Sequence, residues 1–234
     1  MAFSRQALGR TLRIRTALLV YLLDACQGST WWAFSFWAPA YLVRYRIAPD
    51  ADTAALALLP AIVGFVVGTV LGGWLIDRLR WRTERSAVWV SLISMAGALA
   101  VSVVVFALRD LTAVLAVGFF LGVFGYLIMP AINVILYDVV PPETRASASA
   151  ADGVILSAFS ALTAFAIGAV SHAVGQQQGL AEGNLRAGFQ GAVTILLAGG
   201  VLVSLALLRT VPADMAALSD YVAQRAAGVA SEES

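Results

Sequence analysis

Residues 64–85 read GFVVGTVLGGWLIDRLRWRTER. Up to Ile76 the stretch is apolar apart from Thr69, with Gly64, Gly68 and Gly72 at i, i+4 and i+8. That spacing sets the three glycines on one helix face and leaves a groove where a second backbone can approach closely. The stretch then turns abruptly charged, with Asp77, Arg78, Arg80, Arg82, Glu84 and Arg85. A membrane helix ends here, and a short basic loop precedes the next apolar run. The rest of the chain repeats this alternation.

Composition agrees. Hydrophobic residues are 60% of the 234, charged residues 12%, and mean hydropathy is +0.85. Soluble domains carry about 25% charged residues, so this is an integral membrane protein. A spanning helix needs about 20 mostly apolar residues. Six segments qualify, 17–43, 53–76, 87–108, 112–139, 146–174 and 187–208, and none alternates with the period of two expected of barrel strands. The expected fold class is an all-α membrane protein with six transmembrane helices. Residues 1–16 form a cytoplasmic N-terminal segment, 17–209 the transmembrane domain and 210–234 a cytoplasmic tail. The basic start lacks a small-residue cleavage site and its apolar run is too long for a signal peptide, so it reads as retained. The tail reads as a short surface helix followed by an acidic, disordered end.

All fifteen basic residues are arginines, and their placement orients the chain. With the N-terminus inside, Arg5, Arg10, Arg13, Arg15, Arg78, Arg80, Arg82, Arg85, Arg145, Arg209 and Arg225 are cytoplasmic, against Arg44, Arg46, Arg109 and Arg186 outside. Eleven against four places both termini in the cytoplasm of a cell with this protein in its inner membrane. The lone Cys26 excludes an intrachain disulfide. No phosphate loop, metal constellation or nucleophile arrangement is present in the sequence, which speaks against an enzyme, a cofactor or nucleic-acid binding.

Within the spans, Asp24 reads as the only ionisable side chain near mid-membrane. An acid there costs about 3 kcal/mol on insertion scales unless it faces water or protein. Asp24, Gln27, Gly28, Trp31 and Ser35 share a stripe, either a pathway-lining face with a proton or cation site, or a hydrogen-bonded packing position. Span four carries Tyr126, Pro130, Asn133 and Tyr137 on a second stripe, with Pro130 freeing a backbone carbonyl. Asp152, about two turns into span five, reads as capping or pairing near the cytoplasmic surface. Most of Trp31, Trp32, Phe34, Phe36 and Trp37 read as lipid-facing or interfacial. Pro39 stops or kinks span one. Pro141, Pro142 and Glu143 suit a helix start, whereas Arg145 opposes the dipole and calls for an acidic partner such as Asp138.

Residues 73–82, GWLIDRLRWR, resemble the cytoplasmic-loop signature of the major facilitator superfamily, Gly-x-x-x-Asp-Arg-x-Gly-x-Arg-Arg. Gly73, Asp77, Arg78 and Arg82 match; Arg80 replaces the glycine and Thr83 the last basic residue. Residues 36–46, FWAPAYLVRYR, are similar to the end of the seventh helix of the spinster-like branch. Ile135 through Ala148, followed by Gly168 to Ser171, resemble its tenth-to-eleventh helix connection, although His172 replaces the usual acid after Ser171. The resemblance implies the C-terminal six-helix half of a twelve-helix transporter, in which substrate lies between two halves that rock against each other. It further implies that the Asp77 loop and the helix after Pro141 each engage a second half, and that the Gly64/Gly68/Gly72 face meets a neighbour outside the chain, the alternative for that face being tight packing inside this six-helix unit. The expected partners are the bilayer, a small organic or amphiphilic solute, and a second six-helix half or a copy of this chain. The alternative is a non-transporting relic or regulatory membrane subunit.

Overall fold

A computed structural model describes residues 14–180 and 183–232, with side chains as far as Arg225. The expected N-terminal segment lies outside the described residues except for its last three. Eight α-helices build the described chain: α1 (Arg15–Arg44), α2 (Ala51–Leu56), α3 (Leu59–Arg80), α4 (Ser86–Ala107), α5 (Leu111–Tyr126), α6 (Met129–Val139), α7 (Arg145–Gln177) and α8 (Leu185–Glu232). A 3₁₀ turn over Pro142–Thr144 precedes α7. There is no strand among the described residues.

Six spans follow, the fourth being α5 with α6. Five helical stretches are long and apolar enough to cross a bilayer on composition alone: Ala51–Arg80, Ser86–Ala107, Leu111–Val139, Pro142–Gln177 and Leu185–Arg225. The remaining span, α1, has 30 residues, about 45 Å of helix. Its hydropathy is lowered by Asp24, Gln27, Ser29 and Thr30, all of them buried. Packing against α7 and α8, rather than lipid, surrounds those groups.

Three boundaries differ from expectation. Span two begins at Leu59, because Asp50 starts a separate helix by accepting the Thr53 N–H at 2.8 Å. Span four is two helices, so Tyr126 and Asn133 do not share one continuous stripe. Pro130 has no N–H for the Tyr126 carbonyl, and the ladder breaks at residues 127–128. The break is held from outside: Gln27 Nε2 donates to the Gly125 carbonyl at 2.9 Å, and the Ser94 hydroxyl donates to the Phe124 carbonyl. The last helix does not end at Pro212 but runs on to Glu232. Tertiary bonds hold the continuation. Asp214 accepts the Thr16 N–H at 3.0 Å, capping α1, which has no cap of its own. Glu143 accepts from the Tyr221 hydroxyl at 2.9 Å and from Arg225 at 2.8 Å. Pro39 likewise lies within α1 without ending it.

The glycine face has its neighbour inside the chain, which corrects the expectation of an outside one. A Cβ at Gly64, Gly68 or Gly72 would fall on the backbone carbonyl of Phe119, Val123 or Leu127, and one at Gly122 on that of Ala61. Helices α3 and α5 therefore meet backbone to backbone. Towards the C-terminal ends of α1 and α4, Phe34, Tyr41, Phe106 and Phe189 form a ring cluster with centroids 5.0–6.0 Å apart, tying α1, α4 and α8. Gly183, at φ 78°, lets the chain turn tightly over α7 into α8. Its Cα occupies the space a Cβ on Gly175 would need.

Candidate functional site

Helices α1 and α7 run parallel and close. A Cβ on Gly28 would fall on the Leu156 side chain, Ser29 Oγ lies 3.3 Å from Ser160 Oγ, and Gly168 faces the Trp37 ring. One turn before Gly28 and Leu156, this register sets Asp24 and Asp152 side by side, each close enough to feel the other's charge. Asp24 lies about 13 Å along α1 from Arg15, and Asp152 about 10 Å along α7 from Arg145. Asp24 is only 6% exposed. It is therefore not alone at its depth, and Asp152 pairs with it instead of capping near the surface. The reason is the close α1–α7 crossing, which puts equal depths of the two helices side by side.

Around the pair, Tyr126 is close enough to sense the Asp24 charge, and Tyr21 that of Asp152. The Tyr21 hydroxyl and Asp152 Oδ1 are both buried without a hydrogen-bond partner. One turn beyond Asp24, Gln27 is 5% exposed and joined to Gly125. Trp31 follows, its ring edge-on to Phe65 (3.8 Å) and Tyr126 (5.6 Å), while Phe65 stacks on Tyr126 at 4.0 Å. Asp24, Gln27, Trp31 and Tyr126 thus line one continuous wall between α1 and α5. Asn133 stands apart: it is exposed on α6 and donates to its own helix, to the Met129 carbonyl at 3.2 Å.

The aromatic run of α1 divides three ways. Trp31 joins the wall, Phe34 enters the core, and Trp32 and Phe36 stack on the outside, 51% and 64% exposed. Those two rings, with Ser157, Ser160, Ala161 and Ala164, border an open groove of about 300 Å³ between α1 and α7.

The last turn of α3 and the loop after it expose Asp77, Arg78 and Arg82, without a bonding partner among the described residues. A Cβ at Gly73 would meet nothing within 4 Å. Arg80 reaches Asp138 at 3.9 Å. Arg145 donates to the Tyr137 carbonyl at 2.8 Å and lies 5.6 Å from the centre of that ring, and its charge also acts on the Asp138 carboxylate expected as its partner. The carbonyl is a C-terminal one of α6, where a cation is favoured. Pro141 and Pro142 lead into the 3₁₀ turn that starts α7. His172 shares a hydrogen bond with Gln176 one turn away, at 3.1 Å.

Sequence reasoning missed Asp152 as the partner of Asp24, and missed Asp214 as the cap of α1. The signal for Asp152 was its place inside an apolar span, since an acid there needs a partner. Asp214 carried no comparable signal.

Six spans with two neighbouring acids and a polar-aromatic wall define a helical membrane protein. Residues 4–115 match the model of the Organic Anion Transporter Polypeptide (OATP) family. A 69-residue stretch, 30% of this chain, is 39% identical to 16% of a protein described as the probable sulfoacetate transporter SauU, from Cupriavidus necator. Among solved structures, the chain is similar to a bacterial homologue of the human lysosomal transporter Spinster, in an inward-facing, unoccupied conformation. The TM-score is 0.61 at 16% identity, over 93% of this chain and 50% of that one. The fold is therefore shared with about half of that transporter, and the two sequence matches are also to transporters. The chain spans about half the length of the solved relative.

Proposed function

We propose that the chain is one six-helix half of a secondary transporter, the half corresponding to helices seven to twelve. It moves a small organic solute through a cleft shared with a second half, either another chain or a copy of itself. The two sequence matches favour an organic anion over a neutral amphiphile. The wall of Asp24, Gln27, Trp31 and Tyr126 would face that pathway, with Asn133 further along on α6. Arginine placement supports both termini on the cytoplasmic side of the inner membrane.

The observation that carries the reading is the uneven covering of the spans. Only 11% of the apolar window in the α7 stretch and 22% of that containing α3 are buried, against 39% for α4. Both sparsely covered spans end next to features expected to engage a second half: the Asp77 loop after α3 and the Pro141–Arg145 turn before α7. Native mass spectrometry of the chain, purified gently from its own membranes, tests this. We expect a complex of two six-helix units that takes up small sulfonates or carboxylates once reconstituted, and loses that uptake at least tenfold with Asp24→Asn. A stable lone monomer without uptake would sink the reading and favour a regulatory or relic membrane protein.

A further inference from the structure

We propose that Asp24 and Asp152 act as one unit that holds a single shared proton in the interior of this half, with the Tyr21 hydroxyl as its third member. Two carboxyl groups can hydrogen-bond to each other only when one of them carries a proton. Ionised together at such short range inside the bilayer, they would repel strongly. No described arginine forms an ion pair with either of them, so no cation offsets a second negative charge.

The surroundings point the same way from every side. Helix α1 contributes Tyr21, which is 2% exposed with its hydroxyl unpartnered and within range of Asp152. Helix α5 contributes Tyr126, within range of Asp24. Asp152 itself keeps one buried oxygen, Oδ1, without a donor. Cys26 plays no part, since its sulfur faces Gly199 of α8. A free acceptor and a free hydroxyl thus adjoin a proton-sharing pair, which is the arrangement for receiving a proton or passing one on.

What the proton is used for rests on the transport reading; that the pair holds it does not. For an anionic solute, the protonated pair leaves one negative charge, rather than two, beside the pathway. Loading of the pair would then favour loading of the anion, and solute and proton would move together.

The test is infrared difference spectroscopy on the chain, with any partner that co-purifies, in lipid nanodiscs and without solute. We expect a protonated-carboxyl C=O band at neutral pH that bleaches on alkaline titration. It should shift in Asp24→Asn, shift in Asp152→Asn, and vanish in the double variant. Tyr21→Phe, which keeps the ring and therefore the packing, should also shift it. A wild-type spectrum without the band, or a band unmoved by any one of the single substitutions, overturns the proposal. Because no solute is present, failure here leaves the transport reading standing, and failed uptake leaves the pair standing.

Discussion

At the residue scale, the chemistry of this protein lies in polar groups that apolar spans would not hold without partners. Gln27 shows this most simply. Its amide donates to the Gly125 carbonyl, at the turn where α5 breaks before α6. In Gln27→Leu the side chain keeps its bulk but the carbonyl loses its donor, at a cost of about 1 kcal/mol. Thermal unfolding in detergent should show the loss, and Gln27→Met should not restore it, because a thioether cannot donate. Arg145 makes the converse point. A cation in the first turn of a helix is unfavourable there, and the Tyr137 carbonyl and ring at the end of the preceding helix absorb it.

At the element scale, two contacts decide how helices sit. The α3–α5 contact depends on having no side chain at Gly68, where a Cβ would lie on the Val123 carbonyl. Gly68→Ile forces the helices apart and should destabilise the chain by about 1–3 kcal/mol. Gly73→Ala, where the new methyl meets open space, should leave the unfolding temperature unchanged or slightly raised, since alanine favours helix. Equal losses from both would mean that α3 packs differently. The second contact fastens the end of α8 to the 3₁₀ turn through Glu143. Its own backbone N–H, then the Tyr221 hydroxyl, hold that carboxyl below the usual range. Because its folded value is depressed, the contact is fully present above the ordinary glutamate range and is lost as pH falls through the lowered value. Spin labels at the exposed Val222 and on an exposed site of α7 should therefore report a fixed distance at neutral pH and a broadened one in acid. Glu143→Gln should broaden the distance at neutral pH already.

At the scale of the whole molecule, the open question is what covers α3, α7 and the Asp77 loop. If a second half does, Asp77→Asn and Arg78→Gln should weaken the two-unit complex in native mass spectrometry while leaving the unfolding temperature of the isolated chain within about 0.5 kcal/mol of wild type. An unchanged complex would place the contact elsewhere. The class of the protein was legible in the sequence because membrane insertion is written locally: apolar length and basic loops each depend on a few neighbouring residues. The six apolar spans followed from that. What the sequence could not supply was every feature made by residues distant in the chain. Asp24 and Asp152 are 128 positions apart and meet only because Gly28 lets α1 lie close to α7. Asp214 caps a helix that begins nearly 200 residues earlier. The glycines of α3 announced a close contact, but only the packing chose α5 as the partner. Hydropathy and charge, being properties of short windows, determined which segments cross the membrane. Which faces meet was left to tertiary packing, because helices of nearly uniform apolarity carry little preference of their own for one side over another.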